Sequence, residues 1–185
     1  ERPPIAIRDI RSIQAECYRM DDENRWLVAI IADTGMRLAE AIGLKSGDLV
    51  LDVDQPYVRV CRHPWRSLKT ASSTRDIPLV GSTLWAARRI KHAETEFAFP
   101  KYCNPDQCNS NSASAAINKW LKPRLPKGCV MHSFRHSLRD RLRAVECPSD
   151  IIDALGGWAT SGVGHKYGQG YDMKVKHRWM AMLEN

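Results

Sequence analysis

Hydrophobic residues recur at helical spacing along much of the chain, most clearly between His132 and Arg143. In this stretch and just beyond it, an apolar stripe is formed by Phe134, Leu138, Leu142 and Val145. Potential cations collect on another face of the same predicted helix, namely His132, Arg135, His136, Arg139 and Arg143. Like charges one turn apart repel by about 0.2–0.5 kcal/mol per pair. The pattern therefore indicates that something negative faces this side of the helix.

The remaining helical segments are shorter or more apolar. The segment from Trp26 to Asp33 is almost entirely apolar and predicts a buried helix, which Gly35 ends as a left-handed cap. Pro148 starts another helix that ends at Gly156. The other predicted helices cover residues 7–19, 37–44, 82–93, 113–122, 133–145 and 173–183.

Three short segments in the first half of the chain favour β-structure. Residues 57–61 alternate and are β-branched, and residues 48–53 and 75–79 flank them. Pro78 lacks a backbone donor, which argues for an edge strand or a strand end. The Asn-, Ser- and Cys-rich stretch 101–112 predicts a loop. The expected fold class is α+β, mainly α-helical with one small antiparallel β-sheet.

Length and charge narrow the class of partner. The chain has 185 residues, enough for one domain with a real core, and its formal net charge is +7. A positive net charge favours nucleic acid, an anionic membrane or an acidic substrate as the partner. A protein whose lysines and arginines simply face solvent can have the same net charge. The longest apolar run, Trp26 to Ala32, is far shorter than the roughly 18 residues of a membrane span.

The six cysteines show no recognisable metal-binding spacing. They lie at positions 17, 61, 103, 108, 129 and 147, with no C-x-x-C pair. Cys103 and Cys108 are five apart, and no matching pair of His or Cys follows them. We therefore expect reduced thiols and no metal.

Two segments place arginine where it suits a phosphate. In T-G-M-R-L-A-E, Gly35 puts Arg37 at a helix start, which already favours an anion, and Glu40 lies within reach to orient it. In H-S-F-R-H, His132 and Arg135 lie three apart and share a helix face. An ordinary ion pair within a helix and a solvated basic helix are the structural alternatives.

Two further segments have weaker individual signals. Lys69, in L-K-T-A-S-S-T-R-D-I-P-L, lies in the link between two strands, where a hairpin tip can carry it into a DNA groove. In L-G-G-W-A-T-S-G-V-G-H-K-Y, Trp158 follows a Gly-Gly helix end, and Tyr167 lies nine residues later. A solvated turn lysine and packing aromatics are the alternative interpretations.

In this order the four segments resemble the signature of the tyrosine recombinases, the phage integrase family, over residues 7 to 183. The family pattern is Arg, Lys, H-x-x-R, His or Trp, then Tyr. It matches Arg37, Lys69, His132, Arg135, Trp158 and Tyr167, with Glu40 and His136 as accompanying residues that orient the site. The chain has Trp158 where His is usual. His165 lies too close to Tyr167 to take that place, and Tyr171, thirteen residues after Trp158, is a rival nucleophile with a poorer spacing.

The resemblance implies phosphoryl transfer at a DNA phosphodiester. Tyr167 attacks the phosphorus, expels the 5′ oxygen and forms a 3′-phosphotyrosyl link. Arg37 and Arg135 hold the non-bridging oxygens, and Trp158 adds a hydrogen bond. Lys69 is the general acid, and His132 is the base or a phosphate donor. Arg139, Arg143 and His165 are expected to contact DNA, and no metal or cofactor is implied.

The resemblance also implies an arrangement of domains and subunits. Residues 1–6, with Pro3-Pro4, are expected to end a linker, and residues 7–185 to form the catalytic domain. A separate DNA-binding domain would precede it, since the chain begins with Glu rather than Met. The partner would be double-stranded DNA, bound by a tetramer that associates through the C-terminal helix, in the cytoplasm of a bacterium or from a phage.

Three other functions fit part of the pattern. A type IB topoisomerase uses similar residues and the same intermediate, but relaxes DNA. A DNA-binding regulator without catalysis would use the basic helix alone. A zinc-binding protein built on the six cysteines is the third.

Overall fold

The helical segments pack around one hydrophobic core in a computed structural model, which describes residues 3–160 and 170–184. Every predicted helix is confirmed, with ends that differ by a few residues. Those of the described residues are α1 (Ile7–Met20), α2 (Glu23–Thr34), α3 (Leu38–Ile42), α4 (Gly81–His92), α5 (Ser110–Leu121), α6 (Ser133–Ala144), α7 (Ser149–Gly156) and α8 (Met173–Ala181).

The three predicted strands form one antiparallel sheet in the order β1-β2-β3. The strands are β1 (Leu49–Val50), shorter than predicted, β2 (Tyr57–Val60) and β3 (Arg75–Pro78). Val58 lies between Leu49 and Ile77 in the register, and all three side chains are buried. Pro78 ends the edge strand β3, as its missing N–H predicts.

Helix α2 lies at the centre of the core, in contact with α1, α4 and α6. Its residues from Leu27 to Thr34 are all buried, as the continuous apolar pattern predicts. Gly35 ends the helix with a φ of 61°, and its N–H donates to the carbonyl oxygen of Ile31 at 2.9 Å. This left-handed cap turns the chain so that Arg37 begins α3.

Gly35→Ala is expected to destabilise the domain by about 1–3 kcal/mol. A Cβ at this position would lie 2.6 Å from the Leu138 side chain, and the positive φ adds backbone strain. The matched control is Gly47→Ala, because nothing lies within 4 Å of a Cβ there. Urea unfolding of both variants measures the difference. Equal midpoints for the two would contradict the packing argument.

Helix α6 confirms the predicted apolar stripe, and its predicted cations differ in depth. Phe134 and Leu138 are fully buried against the core. Among the predicted cations, Arg135 is only 3% exposed, whereas the Arg143 side chain is 61% exposed. Because residues four apart lie on the same face of a helix, Arg135, Arg139 and Arg143 form one row that runs from the buried side of α6 to solvent.

The C-terminal helix α8 packs on its own domain in this structure. It contacts β3, and the Lys176 ammonium group donates to the carbonyl oxygen of Asp76 at 2.7 Å. Met180 on α8 and Leu183 in the following 3-10 turn are buried in the core.

The cysteines depart from the expectation of reduced thiols at one pair. Cys103 and Cys108 form a disulfide, because the loop brings their Cα atoms within 4.1 Å. The other four cysteines are free, as expected. A search of the described part of the chain found no helix long and apolar enough to cross a membrane.

Candidate active site

Arg37 takes its position from the turn after α2. It is the N-cap of α3, and its backbone N–H donates to Glu40 Oε2 at 3.0 Å. Its guanidinium group also donates to Glu40 Oε1 at 2.8 Å and to the hydroxyl of Ser73 at 3.1 Å. The predicted orienting contact between Glu40 and Arg37 is therefore present in the structure. About a fifth of the Arg37 side chain remains exposed, which leaves it open to a ligand (22%).

Glu40 holds a second arginine that the sequence analysis missed. Arg75 in β3 donates to Glu40 Oε2 at 3.0 Å, and both side chains are almost fully buried. Burial alone would raise the pKa of Glu40, but the charge and hydrogen bonds of Arg75 and Arg37 outweigh it and lower that pKa. One carboxylate therefore orients two guanidinium groups and stays ionised.

Glu40→Gln is expected to destabilise the domain by about 3 kcal/mol near neutral pH, because it leaves a buried guanidinium group without its counter-charge. A lowered pKa in the folded state gives stability that is present above the unfolded pKa of about 4.3 and is lost as pH falls through the folded pKa. The stability gap between wild type and variant should therefore shrink in acid. Urea unfolding at several pH values measures it.

The matched control for this prediction is Glu16→Gln. Glu16 makes the same kind of contact with an arginine, Arg19, but on the exposed surface of α1. Exposed pairs are screened by water and add little to stability. A loss in Glu16→Gln as large as in Glu40→Gln would show that burial of the Glu40 pair is not the cause.

Arg135 lies at the first turn of α6 with its guanidinium group buried. Its Nη1 donates to the carbonyl oxygen of Gly35 at 2.9 Å, which ties α6 to the cap of α2. Its buried Nη2 has no hydrogen-bond partner in the described structure. Burial lowers the pKa of Arg135 to about 9, and the charges of Arg37 and Arg75 add to the effect. An anion at this point would satisfy both the unpaired donor and the excess positive charge.

Trp158 lies against two arginines of α6. The guanidinium carbons of Arg135 and Arg139 are 4.1 and 4.7 Å from the centre of a Trp158 ring. Arg139 also pairs with Asp153 of α7 at 3.2 Å. Gly156 leaves room for the indole, since a Cβ there would lie 1.7 Å from a ring carbon. The L-G-G-W segment therefore places Trp158 beside Arg135.

Lys69 lies in the exposed loop between β2 and β3, where the sequence places it. Residues 70–72 of this loop, with Arg37 and residues 157–159, line an open cleft of about 420 Å³. The Lys69 side chain has no hydrogen bond or ion pair with the residues that the structure describes, and it is free to reach a ligand.

The two histidines of the H-x-x-R-H segment lie together at the start of α6. The ring centres of His132 and His136 are 5.3 Å apart in an edge-to-face arrangement. His132 is exposed and immediately precedes the helix, and His136 is half-buried one turn later. Both side chains therefore lie on the side of α6 that carries Arg135.

The structure describes only one of the two candidate nucleophiles, Tyr171. Tyr167 and His165 lie outside the described residues. Tyr171 is exposed, and its hydroxyl donates to Asp150 of α7. That hydrogen bond, with a little burial, raises the pKa of Tyr171.

The described side chains form a site for an anion. Two guanidinium groups, those of Arg37 and Arg75, bind the carboxylate of Glu40, and the charge of Arg135 lies close enough to interact with all three. Positive charge is therefore in excess, and one buried donor of Arg135 is unsatisfied. Phosphoryl groups are anions that suit such a site, and arginine binds them through parallel hydrogen bonds. The grouping of possible metal ligands found in the described residues, around His63, lies in a different part of the chain.

Comparison with known proteins supports this interpretation. The sequence pattern that defines the phage integrase family matches residues 7–172. No curated protein sequence matches the chain.

Several solved structures are similar in fold. A Tn1549 transposon integrase in complex with a circular intermediate DNA has 16% identity and a TM-score of 0.68, over 97% of this chain and 61% of that chain. The XerH site-specific recombinase bound to a palindromic difH substrate has 14% identity and a TM-score of 0.60, over 97% of this chain and 50% of that chain. The chain thus spans about half to two thirds of these proteins.

Proposed function

Since the chain belongs to the phage integrase family, we propose that it is the catalytic domain of a site-specific recombinase. It cuts and rejoins strands of double-stranded DNA through a 3′-phosphotyrosyl intermediate. The single observation that carries the proposal is the cluster in which Glu40 orients Arg37 beside the buried, partly unsatisfied guanidinium group of Arg135. The cluster joins two segments about 100 residues apart.

In this proposal each group acts at one point of the phosphodiester. The Tyr167 oxygen forms a bond to phosphorus while the bond to the 5′ oxygen breaks, so one ester replaces another without an external energy source. Arg37 and Arg135 stabilise the charge on the non-bridging oxygens, and the Trp158 indole N–H adds one hydrogen bond. Lys69 protonates the leaving 5′ oxygen. His132 binds the phosphate or accepts the tyrosine proton, and His136 orients it.

Three further residues are proposed to contact DNA outside the scissile phosphate. Arg143 is exposed at the end of α6, where it makes a long ion pair with Asp140 at 3.6 Å. Arg139 has a second role, because its contacts with Asp153 and Trp158 also fix the indole. His165 precedes Tyr167 by two residues and is proposed to face DNA.

The proposed assembly places residues 1–6 at the end of a linker and residues 7–185 in the catalytic domain, with a DNA-binding domain upstream. Four protomers would act on two duplexes. Their contact is proposed to use α8, which would exchange its place on β3 for the equivalent place on a neighbour. From its membership of the phage integrase family, we also propose that the protein is bacterial or phage-encoded and acts on DNA in the cytoplasm.

A covalent-adduct assay tests the proposed reaction. The protein is incubated with a library of nicked duplexes, and SDS-resistant complexes are collected. The DNA carries a label at one end of one strand. The protein should retain the label only when it lies in the part of the cut strand whose 3′ end becomes attached to the tyrosine. Sequencing the trapped DNA gives the target site.

The outcomes separate the competing functions. A single enriched sequence in the trapped DNA supports a site-specific recombinase. Relaxation of supercoiled plasmids regardless of sequence would instead indicate topoisomerase activity. DNA binding by the full-length protein without any adduct would overturn the proposal in favour of a non-catalytic regulator.

A further inference from the structure

Three side chains of different chemistry converge at the end of the sheet where β1 begins and β2 ends. Asp48 belongs to the 3-10 turn Ser46–Asp48 before β1, and Cys61 and His63 follow the end of β2. Their potential ligand atoms all lie within 4.8 Å of one another. The Asp48 and His63 side chains are mostly buried, at 10% and 14% exposed. The proposed recombinase reaction uses none of these residues.

The geometry differs from that of a proton-relay triad. A relay needs the thiol and the carboxylate on opposite nitrogens of the imidazole. Here the same nitrogen, His63 Nε2, lies 2.7 Å from Asp48 Oδ2 and 3.6 Å from Cys61 Sγ. The second carboxylate oxygen, Asp48 Oδ1, lies 3.8 Å from the same sulfur. The carboxylate and the thiol therefore lie on the same side of the imidazole, around one of its nitrogens.

These separations suit a tetrahedral Zn²⁺ ion. With Zn–S near 2.3 Å and Zn–N or Zn–O near 2.0 Å, neighbouring ligand atoms lie roughly 3.3–3.6 Å apart. The N···S distance of 3.6 Å is close to this range. Since the sulfur and the imidazole nitrogen approach different oxygens of Asp48, the carboxylate has to turn so that one oxygen faces the ion, and the 2.7 Å N···O distance has to open by about half an ångström. A thiolate, a carboxylate and a neutral imidazole together carry the charge that balances Zn²⁺.

The surroundings hold the three donors in place. His63 stacks on Trp65 with ring centres 4.5 Å apart, and its backbone pairs with that of Arg66. The Arg66 guanidinium group donates to the carbonyl oxygens of Cys61 and Gly43. The backbone N–H of Lys45 donates to Asp48 Oδ2 and orients the carboxylate. Such supporting contacts are typical of metal sites.

From this convergence we propose that Asp48, Cys61 and His63 bind a zinc ion, with a water molecule in the fourth position. Binding replaces the thiol proton, which is released to solvent. The ion joins the turn before β1 to the end of β2, at the base of the loop that carries Lys69. Its proposed role is to hold these two elements together, and the proposal departs from the expectation that the chain holds no metal.

Cobalt substitution tests the site directly and needs no DNA. The protein is stripped with a chelator, dialysed and titrated with Co²⁺. One equivalent should produce the visible bands of tetrahedral cobalt and the near-ultraviolet thiolate-to-cobalt transition. Zn²⁺ should remove both signals and raise the melting temperature of the wild-type protein.

Matched variants assign the ligands. Cys61→Ser should abolish the thiolate transition, and His63→Gln should weaken Co²⁺ binding by more than about tenfold. Cys147→Ser, which changes another free cysteine far along the chain, should leave both signals unchanged. Circular dichroism without metal checks that each variant is folded. The absence of a thiolate band in the wild type, or its persistence in Cys61→Ser, would overturn the proposal whatever the DNA assay shows.

Discussion

Tyr167→Phe is expected to abolish the SDS-resistant DNA adduct while DNA binding stays within about twofold of wild type. The substitution removes only the hydroxyl, and without it no phosphotyrosyl bond can form. The arginines proposed to bind the phosphate are unchanged, so affinity for the duplex should be retained. The measurement compares adduct yield on nicked duplexes with affinity in a gel-shift assay under the same salt conditions, because binding to DNA depends strongly on salt.

Tyr171→Phe is the matched control, because the same hydroxyl is removed four residues away. In the described structure this hydroxyl donates to Asp150, and the contact raises the pKa of Tyr171, which disfavours the phenolate. The variant should therefore keep nearly full adduct yield. Loss of the adduct only in Tyr171→Phe would show that Tyr171, and not Tyr167, is the nucleophile. The proposed phosphotyrosyl reaction would still stand. An undiminished adduct in both variants would show that neither tyrosine is the nucleophile.

Local patterns were sufficient to predict most of the fold and part of the site. Gly35 requires a left-handed cap, and the cap places Arg37 at a helix start, where Glu40 is within reach on the next turn. These relations depend only on residues close in sequence. The apolar stripe on α6 and the alternation in β2 are local in the same way.

Contacts between distant segments could not be predicted in this way. Arg75 was missed because its partner, Glu40, lies 35 residues earlier. A signal was nonetheless present, since the alternation of β3 puts Arg75 on the same buried face as Ile77, and a buried arginine needs a counter-charge. The residues of the proposed zinc site could not be grouped from the sequence for a similar reason, because sheet pairing, and not sequence spacing, brings Asp48 to Cys61 and His63. Periodicity predicted which cations of α6 share a face, but not which of them tertiary packing would bury.

Arg135→Lys is expected to lower the rate of adduct formation by about 10²–10³-fold, the usual cost of losing one preorganised donor to a transition-state oxyanion. Lysine keeps the charge but cannot donate to the Gly35 carbonyl oxygen and to a phosphate oxygen with one planar group. It also loses the stacking on Trp158. The single-turnover rate on a nicked duplex measures the loss.

Arg143→Lys provides the matched control, since it makes the same substitution in the same helix at an exposed position. We expect a change of less than about threefold there, because a flexible surface contact with DNA tolerates either cation. Urea unfolding of both variants shows whether the α6 packing survives. Loss of activity in an Arg135→Lys variant that remains folded at the assay temperature would support a role of the guanidinium group in the reaction. Equal rates for the two variants would mean that the buried guanidinium group supports only the fold, and that Arg37 alone holds the phosphate.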